Sequence, residues 1–565
     1  MPKRLAITIS GAVSLGSYEA GVLYEVIHAI GQHNQNAKTT EDERIVIDVI
    51  TGASAGGMTA TILAQKLAFE ASSLEGAYSN SLYRPWVEEV SLEGLLNTQP
   101  GEDPTHSFLS SNLVHDIARK YLTRRYQTHM DPVPVAHPAA KQTIRLGLAL
   151  SNLNGLDYGI PVRPVNADGT PDKFIYTRHQ DELETWVETD KPAVDDIEGF
   201  WEPLRLAAVS CGAFPFAFRV VDLIRTREEY TETGKYVSAK PNLVTALNPL
   251  ETFTYTDGGT FQNEPLGLAK NLVNKEDAHR DVDSRFYLYI SPSSKGSAAN
   301  RGFHESTANF AATAYRAVGA IFQQAQFQDW IKAEKINDQV ALLNARAMQL
   351  HQALKGSSAA AKKKAATLQS AASQLLPELF VGSKETIDAA RARLTHQFQK
   401  EYNELPPSSR GPWIDSILTL ETAASLGSKE EMKIYTVTAK SSELASGEFL
   451  AFAGFFERRL REHDYDIGRE KAQAFLLSPE LSKPGELGPI RFTPEALRKH
   501  PNLGGITIGD IDRSARENFR DRILDRTDNI LKELGIEGIS NGGAFVRNAI
   551  KNFFIRPRLN KLLAL

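Results

Sequence analysis

The chain has 565 residues, 42% hydrophobic and 24% charged, which supplies several ordinary cores and excludes a largely disordered protein. Its formal net charge of −5 is small for that length, so no overall field favours nucleic acid, and attraction to a membrane has to come from a local patch. The single cysteine, Cys211, forbids an intrachain disulfide and fits a reducing compartment.

The opening MPKRLAITISGAVSLG places basic residues before apolar ones, as a secretory leader does. The apolar run is short and a helical pattern containing Glu19 and Glu25 follows at once, so residues 5–9 read as a first strand. Tyr18, Val22, Leu23, Val26, Ile27 and Ile30 recur at helical spacing. RIVIDVI (44–50) is a nearly continuous β-branched run, as expected of a strand covered on both faces, and MTATILAQKLAFE (58–70) reads as the helix after it. Further strands are expected at RLGLALSNL (145–153), FIYTR (174–178), around AFRVVDL (217–223), FTYTD (253–257) and RFYLYIS (285–291). Residues 306–400 are rich in Ala, Gln, Lys and Glu, and KGSSAAAKKKAATLQSAASQLL (355–376) reads as a helix-prone segment of low complexity that is expected to be solvated. A last strand-like run, MKIYTVTA (432–439), precedes helices over about 447–477 and from about 513 onward. The expected division is an α/β domain over 1–305, a helical insertion over 306–430 and a mainly helical region over 431–565. No uncharged apolar run reaches the roughly 20 residues of a bilayer span.

Three glycine-rich loops each follow a strand. Gly52-Ala53-Ser54-Ala55-Gly56 lies between a buried strand and a helix, the setting of a nucleophile elbow, whose small neighbours let strand and helix approach. Without that context it is a plain strand–helix corner. At a helix N-terminus, exposed N–H groups and the dipole would stabilise an oxyanion on a group attacked by Ser54. The earlier loop ISGAVSLGSYEAG (9–21) can add donors. It is no phosphate loop, since Ser17 and Tyr18 follow Gly16, and no dinucleotide fingerprint, since Val13 takes the middle glycine position. A histidine base is expected in a loop after a downstream strand; His279, His304, His396 and His463 lack that setting. A carboxylate stands there instead: Asp257 at the end of a strand, before Gly258 and Gly259, a pattern that alone would be an ordinary Asp-Gly turn. All three loops can converge at the carboxyl edge of one sheet.

GAVSLG, GASAG and DGG, in that order, with LALSNLNG (148–155), WEPLRLAAVSCGAFPFAF (201–218) and Asn263-Glu264-Pro265, resemble the patatin-like phospholipase family over residues 5 to about 295. GFFERRLREHDYDIGREKAQAF (454–475) is similar to the tail of long bacterial patatin-related proteins. The resemblance implies a three-layer α/β fold with a central, mostly parallel sheet, carrying a helical insertion and a helical C-terminal region. It also implies a Ser–Asp dyad, with Ser54 as nucleophile and Asp257 as base. Oxyanion donors would come from Gly11, Ala12, Val13 and Ala55, and Gly16, Gly52, Gly56, Gly258 and Gly259 are the motif glycines. One departure stands out: Leu15 replaces the basic residue that the family commonly carries before the last loop glycine, and Val13 restricts the backbone where glycine would be free. The substrates implied are lipid or phospholipid acyl esters, hydrolysed through an acyl-Ser54 intermediate. Transfer of the acyl group to an alcohol, and a non-catalytic lipid-binding or scaffold role, are the alternatives.

Phe214, Pro215 and Phe216 are candidate lining for an acyl channel as well as candidate core. GFFERRLREHDY and RNAIKNFFIRPRLNKLL (547–563) mix apolar and basic residues, as an interfacial helix does and as a helix packed on the protein also does. No metal or cofactor motif is present, so none is expected. The expectation is a cytoplasmic protein, in peripheral contact with a membrane where its substrate lies, and without a nucleic-acid partner.

Overall fold

The computed structural model describes residues 1–97, 99–103, 105–122, 135–165, 171–189, 197–215, 217–232, 235–237, 242–276, 284–292, 304, 313, 320–321, 324–325, 328–356, 358–380, 385–424, 426, 432–447, 451–499, 501–532, 547 and 550–565. His279 and Phe216 therefore lie outside the described residues, as do parts of the 306–430 and 547–563 segments.

Among the described residues eight strands form one sheet: β1 Lys3–Ile9, β2 Ile45–Gly52, β3 Ala140–Val165, β4 Pro171–Glu188, β5 Val221–Thr226, β6 Leu250–Thr256, β7 Arg285–Ile290 and β8 Ile434–Val437. Their order is β5-β6-β3-β2-β1-β7-β8, with β4 also paired to β3. From β3 to β8 every neighbour is parallel, whereas β4, β5 and β6 add antiparallel pairings on the other side. Helices flank this mostly parallel sheet, among them α1 (Gly16–Gln35) after β1 and α2 (Ser54–Phe69) after β2. All residues of β2 and β7 are buried, as a continuous apolar run requires of a strand covered on both faces. The parallel register sets Ile9 of β1 beside Gly52 of β2 and Ile290 of β7. The loops leaving β1 and β2 thus start side by side.

The chain divides into two compact units, one of Met1–Asp329 with Ile434–Leu565 and one of Trp330–Lys433. The C-terminal part joins the first unit in two ways. β8 extends the sheet, pairing Tyr287 to Ile290 with Ile434 to Val437. Helix Arg458–Leu476 crosses α1 backbone to backbone: a side chain on Gly21 would strike the Tyr465 carbonyl, and one on Gly468 the Tyr18 carbonyl. Arg469 Nε donates to Glu25 Oε1 across this crossing at 2.7 Å, with both side chains fully buried. Leu460 and Tyr465 are buried as well, so the apolar side chains of this amphipathic stretch fill the protein interior.

The second unit is helical. Gln328–Leu354, Ala359–Leu379, Ile387–Gln397 and Pro407–Ala423 enclose a core of Ala347, Ala365, Ala372 and Ala390 with Leu376, Leu394, Ile417 and Trp413. Trp413 is fully buried and its indole N–H donates to the Ala347 carbonyl at 2.9 Å. Among the described residues no helix is long and apolar enough to cross a membrane, and no three His, Cys, Asp or Glu side chains are grouped to hold a metal ion.

Candidate active site

β2 ends at Gly52 and α2 starts at Ser54, so the chain turns within two residues. That turn holds Ser54 at φ +51°, a left-handed conformation that costs a non-glycine residue about 1–3 kcal/mol. Close approach explains the flanking glycines. A side chain on Gly52 would overlap the Gly56 carbonyl, and one on Gly56 the Ser10 carbonyl of the neighbouring loop. Ala53 N–H donates to Ile9 O at 3.2 Å, tying the elbow to β1, and the first helical bond runs from Gly57 N to Ala53 O at 3.1 Å. The Ala55 N–H precedes that bond and has no partner within the helix.

Asp257 follows β6 directly and is fully buried. Its backbone is fixed at both ends: its N–H donates to Ala213 O at 2.9 Å, and its carbonyl accepts from Ser151 Oγ at 2.7 Å. Oδ1 accepts from Gly259 N–H at 2.7 Å. Oδ2 accepts the Ser54 hydroxyl at 2.6 Å, across 203 residues of sequence. A side chain on Gly258 would strike the Ala149 carbonyl, which explains the glycine after the aspartate. Burial pushes the Asp257 carboxyl up to about 7, against the opposing pull of the Ser54 and Gly259 hydrogen bonds.

The loop after β1 lies over this pair. Ser10 N–H donates to Ile290 O at 3.0 Å, and Gly11 N–H to Asn263 O at 3.0 Å. The Gly11 N–H is thus engaged by the chain itself, and Ala12 and Val13 follow it toward the elbow. A side chain on Gly11 would meet Asn263 Oδ1 and lie 2.9 Å from Ser54 Cβ, so this loop touches the serine. Val13 stands at φ +52°, so the position where glycine would be free is one where valine is strained. Leu15 is buried, and a side chain on Gly16 would overlap the Trp86 ring.

Residues 7–270 match the family model for patatin-like phospholipases. This segment is similar to patatin-like phospholipases. Over 542 residues the chain is 23% identical to an uncharacterized protein of Sinorhizobium fredii, covering 84% of this chain and 64% of that one. Over 317 residues it is 26% identical to an uncharacterized membrane protein of Mycobacterium tuberculosis, covering 52% of this chain and 27% of that one. The chain thus spans less than two thirds of the length of these relatives. A superposition on the crystal structure of VipD from Legionella pneumophila covers all of this chain and 88% of that one, with a TM-score of 0.20 and 11% identity.

Beside the Ser54–Asp257 pair lies a mostly apolar cavity of about 800 Å³, its open mouth included. Val13, Ala55, Met58, Trp86, Phe214 and Phe455 are among its walls. Of the two described residues of the Phe-Pro-Phe run, Phe214 lines it and Pro215 does not. Among the described residues no histidine contributes to the walls, and Ser54 Oγ bonds to Asp257. Three positioning contacts were not read from sequence. Asn263 and Ser151 sit inside recognisable motifs, but their roles depend on which backbone groups they meet. Phe455 arrives from outside the matched segment, and nothing in the stretch GFFERRLREHDY marks it as a cavity wall.

Proposed function

We propose that this chain hydrolyses acyl esters of lipids through a Ser54–Asp257 dyad and an acyl-Ser54 intermediate. The observation that carries the reading is the Ser54 Oγ–Asp257 Oδ2 hydrogen bond at 2.6 Å on the wall of an apolar cavity. Similarity of the matched segment to the patatin-like phospholipase family supports lipid esters as the substrate class.

With Asp257 ionised, Ser54 Oγ attacks the ester carbonyl carbon while its proton passes to Oδ2. The tetrahedral oxyanion takes hydrogen bonds from the Ala55 N–H and from the loop carrying Ala12 and Val13, the kind of interaction that contributes most in acyl transfer. The C–O bond then breaks, and the leaving alcohol takes the proton back from Asp257. Water repeats the sequence on acyl-Ser54 and releases the fatty acid. A carboxylate with its pKa pushed up to about 7 is a far better proton acceptor than an exposed aspartate, which offsets the absence of an imidazole.

A fluorophosphonate probe tests the nucleophile. Wild type labels and Ser54→Ala does not; equal labelling of both overturns the assignment. Product analysis with and without an added alcohol separates hydrolysis from acyl transfer, and absence of both leaves the non-catalytic reading.

A further inference from the structure

Phe455 belongs to the turn Ala453–Phe455, beyond the segment that matches the family, yet it is 4% exposed and forms a wall of the cavity that holds Ser54. We propose that Phe455 sets how long an acyl chain the cavity accepts, and that Arg461 is the positioning residue that holds it in place. The inference rests on the reading of that cavity as the acyl site.

Four observations converge on it. First, the Phe455 turn is fastened to the loop beside the nucleophile. Ser14 Oγ donates to the Ala451 carbonyl, and a side chain on Gly454 would lie 2.6 Å from Ser14 Oγ. Second, Ala451 adopts φ +63°, so the chain accepts strain there, as it does at Ser54 and Val13. Third, Phe455 is backed by a chain of aromatic edges. Its ring meets Phe452 at 5.7 Å, and Phe452 meets Phe214, itself a cavity wall, at 5.6 Å. Fourth, Arg461 spans two wall-bearing segments with one guanidinium. Nη1 donates to Gly454 O at 2.7 Å, while Nε and Nη2 donate to Val87 O at 3.2 and 3.0 Å. Val87 lies in the turn Arg84–Glu89, whose Pro85 and Trp86 line the cavity.

Arg461 is 2% exposed, and all three of its donor atoms go to carbonyl oxygens. Burial pushes its pKa down to about 10, so the charge is held at a cost that an apolar residue would avoid. A planar fork reaching two carbonyls at a fixed separation does what no aliphatic side chain does: it sets the distance between the Phe455 turn and the Trp86 turn.

The test uses the full chain carrying Ser54→Ala, so that nothing turns over, and measures displacement of dansyl-undecanoate by octanoate, dodecanoate and hexadecanoate. Phe455→Ala raises the affinity for hexadecanoate relative to octanoate about tenfold or more, because extra methylenes find cover; Phe455→Trp moves the ratio the opposite way. Phe455→Leu serves if the alanine variant does not fold. Arg461→Lys and Arg461→Met each move the ratio in the direction of Phe455→Ala, about threefold, measured well below the melting temperature of each variant. Lysine does not rescue it, since a point charge lacks the fork. An unchanged ratio in the Phe455 variants, or no binding of any fatty acid, overturns the proposal. An Arg461 ratio equal to wild type removes its positioning role. Fluorophosphonate labelling with Ser54 restored is scored separately. A shifted ratio without labelling keeps this inference and removes the nucleophile, and labelling with an unshifted ratio does the reverse.

Discussion

In Trp330–Lys433 no described residue has a positive φ, and the interior is alanine and leucine around one tryptophan. In the other unit four described non-glycine residues carry positive φ; Ala564 does not line the cavity, whereas Ser54, Val13 and Ala451 stand at or beside it. That unit also buries an aspartate whose carboxyl is pushed up to about 7. The buried carboxylates described in the helical unit, Asp415 and Glu421, instead face arginines: Arg391 and Gln369 donate to Asp415, and Arg393 donates to Glu421. Strain and a buried acid bonded by neutral donors are destabilising, and a fold retains them where geometry serves chemistry. Well-formed helices with satisfied partners need neither. The contrast fits the proposed reading, in which the chemistry belongs to the first unit.

The sharpest break of that contrast is at the dyad. Asp257→Asn keeps the shape and removes the base, so kcat/KM for an ester should fall about 10²–10⁴-fold, measured by release of p-nitrophenol. Wild-type turnover in this variant ends the dyad reading. In the helical unit the equivalent lever is packing. Trp413→Ala should lower the stability of residues 330–433 by about 3–5 kcal/mol, seen in the full chain as faster amide hydrogen exchange confined to those helices. Exchange that accelerates equally around Ser54 would erase the distinction between the units.

Titration of Asp257 sharpens the comparison in both activity and stability. The base must be ionised, so kcat/KM should drop about tenfold per pH unit below about pH 7. For stability the sign is the reverse of the usual carboxylate. Folding raises this pKa from about 3.9 to about 7, so the native state holds the proton more tightly than the unfolded chain. The stabilisation is complete below about pH 4 and is lost as pH rises to about 7, an effect of up to about 4 kcal/mol. Asparagine has no charge to bury. Asp257→Asn should therefore melt higher than wild type at pH 8, with the advantage gone at pH 4. A constant difference across that range would mean that the carboxylate is solvated in the folded protein.

The parallel strands were legible because burial on both faces leaves an uninterrupted β-branched run, as in RIVIDVI for β2. β4 was read only as FIYTR but runs from Pro171 to Glu188, because a half-exposed antiparallel strand carries charges such as those of DELETWVE and shows Phe174 at 67% exposure. Ser54 and Asp257 stood out for a steric reason: each must sit where another backbone passes, so glycine surrounds them. The donors were harder to read. Gly11 lies in the expected loop, yet its N–H is taken by Asn263, a contact set by tertiary placement alone. GFFERRLREHDY has the composition of an interfacial helix and of a packed one. The Gly21–Gly468 crossing decides for packing, and it joins positions more than 400 residues apart. The return of residues 434–565 to the first unit is equally invisible to local composition.

The smallest predicted effect tests whether strain in the loop after β1 is real. Replacing valine by glycine normally destabilises more than replacing it by alanine, because glycine loses more backbone freedom on folding, roughly 0.5–1 kcal/mol. At φ +52° the order should invert. Alanine still has a Cβ and keeps the left-handed penalty of about 1–2 kcal/mol, whereas glycine loses it. Both variants lose the two γ-methyl groups from the cavity wall, so that loss cancels, and glycine gives up in addition only the Cβ of a partly exposed residue. Val13→Gly should therefore be more stable than Val13→Ala by up to about 1 kcal/mol, the difference of those two terms, read as a higher urea midpoint at equal slope. If alanine is instead the more stable, the loop relaxes when valine is removed, and the strain beside Ser54 is a property of the side chain rather than of the backbone path that the site requires.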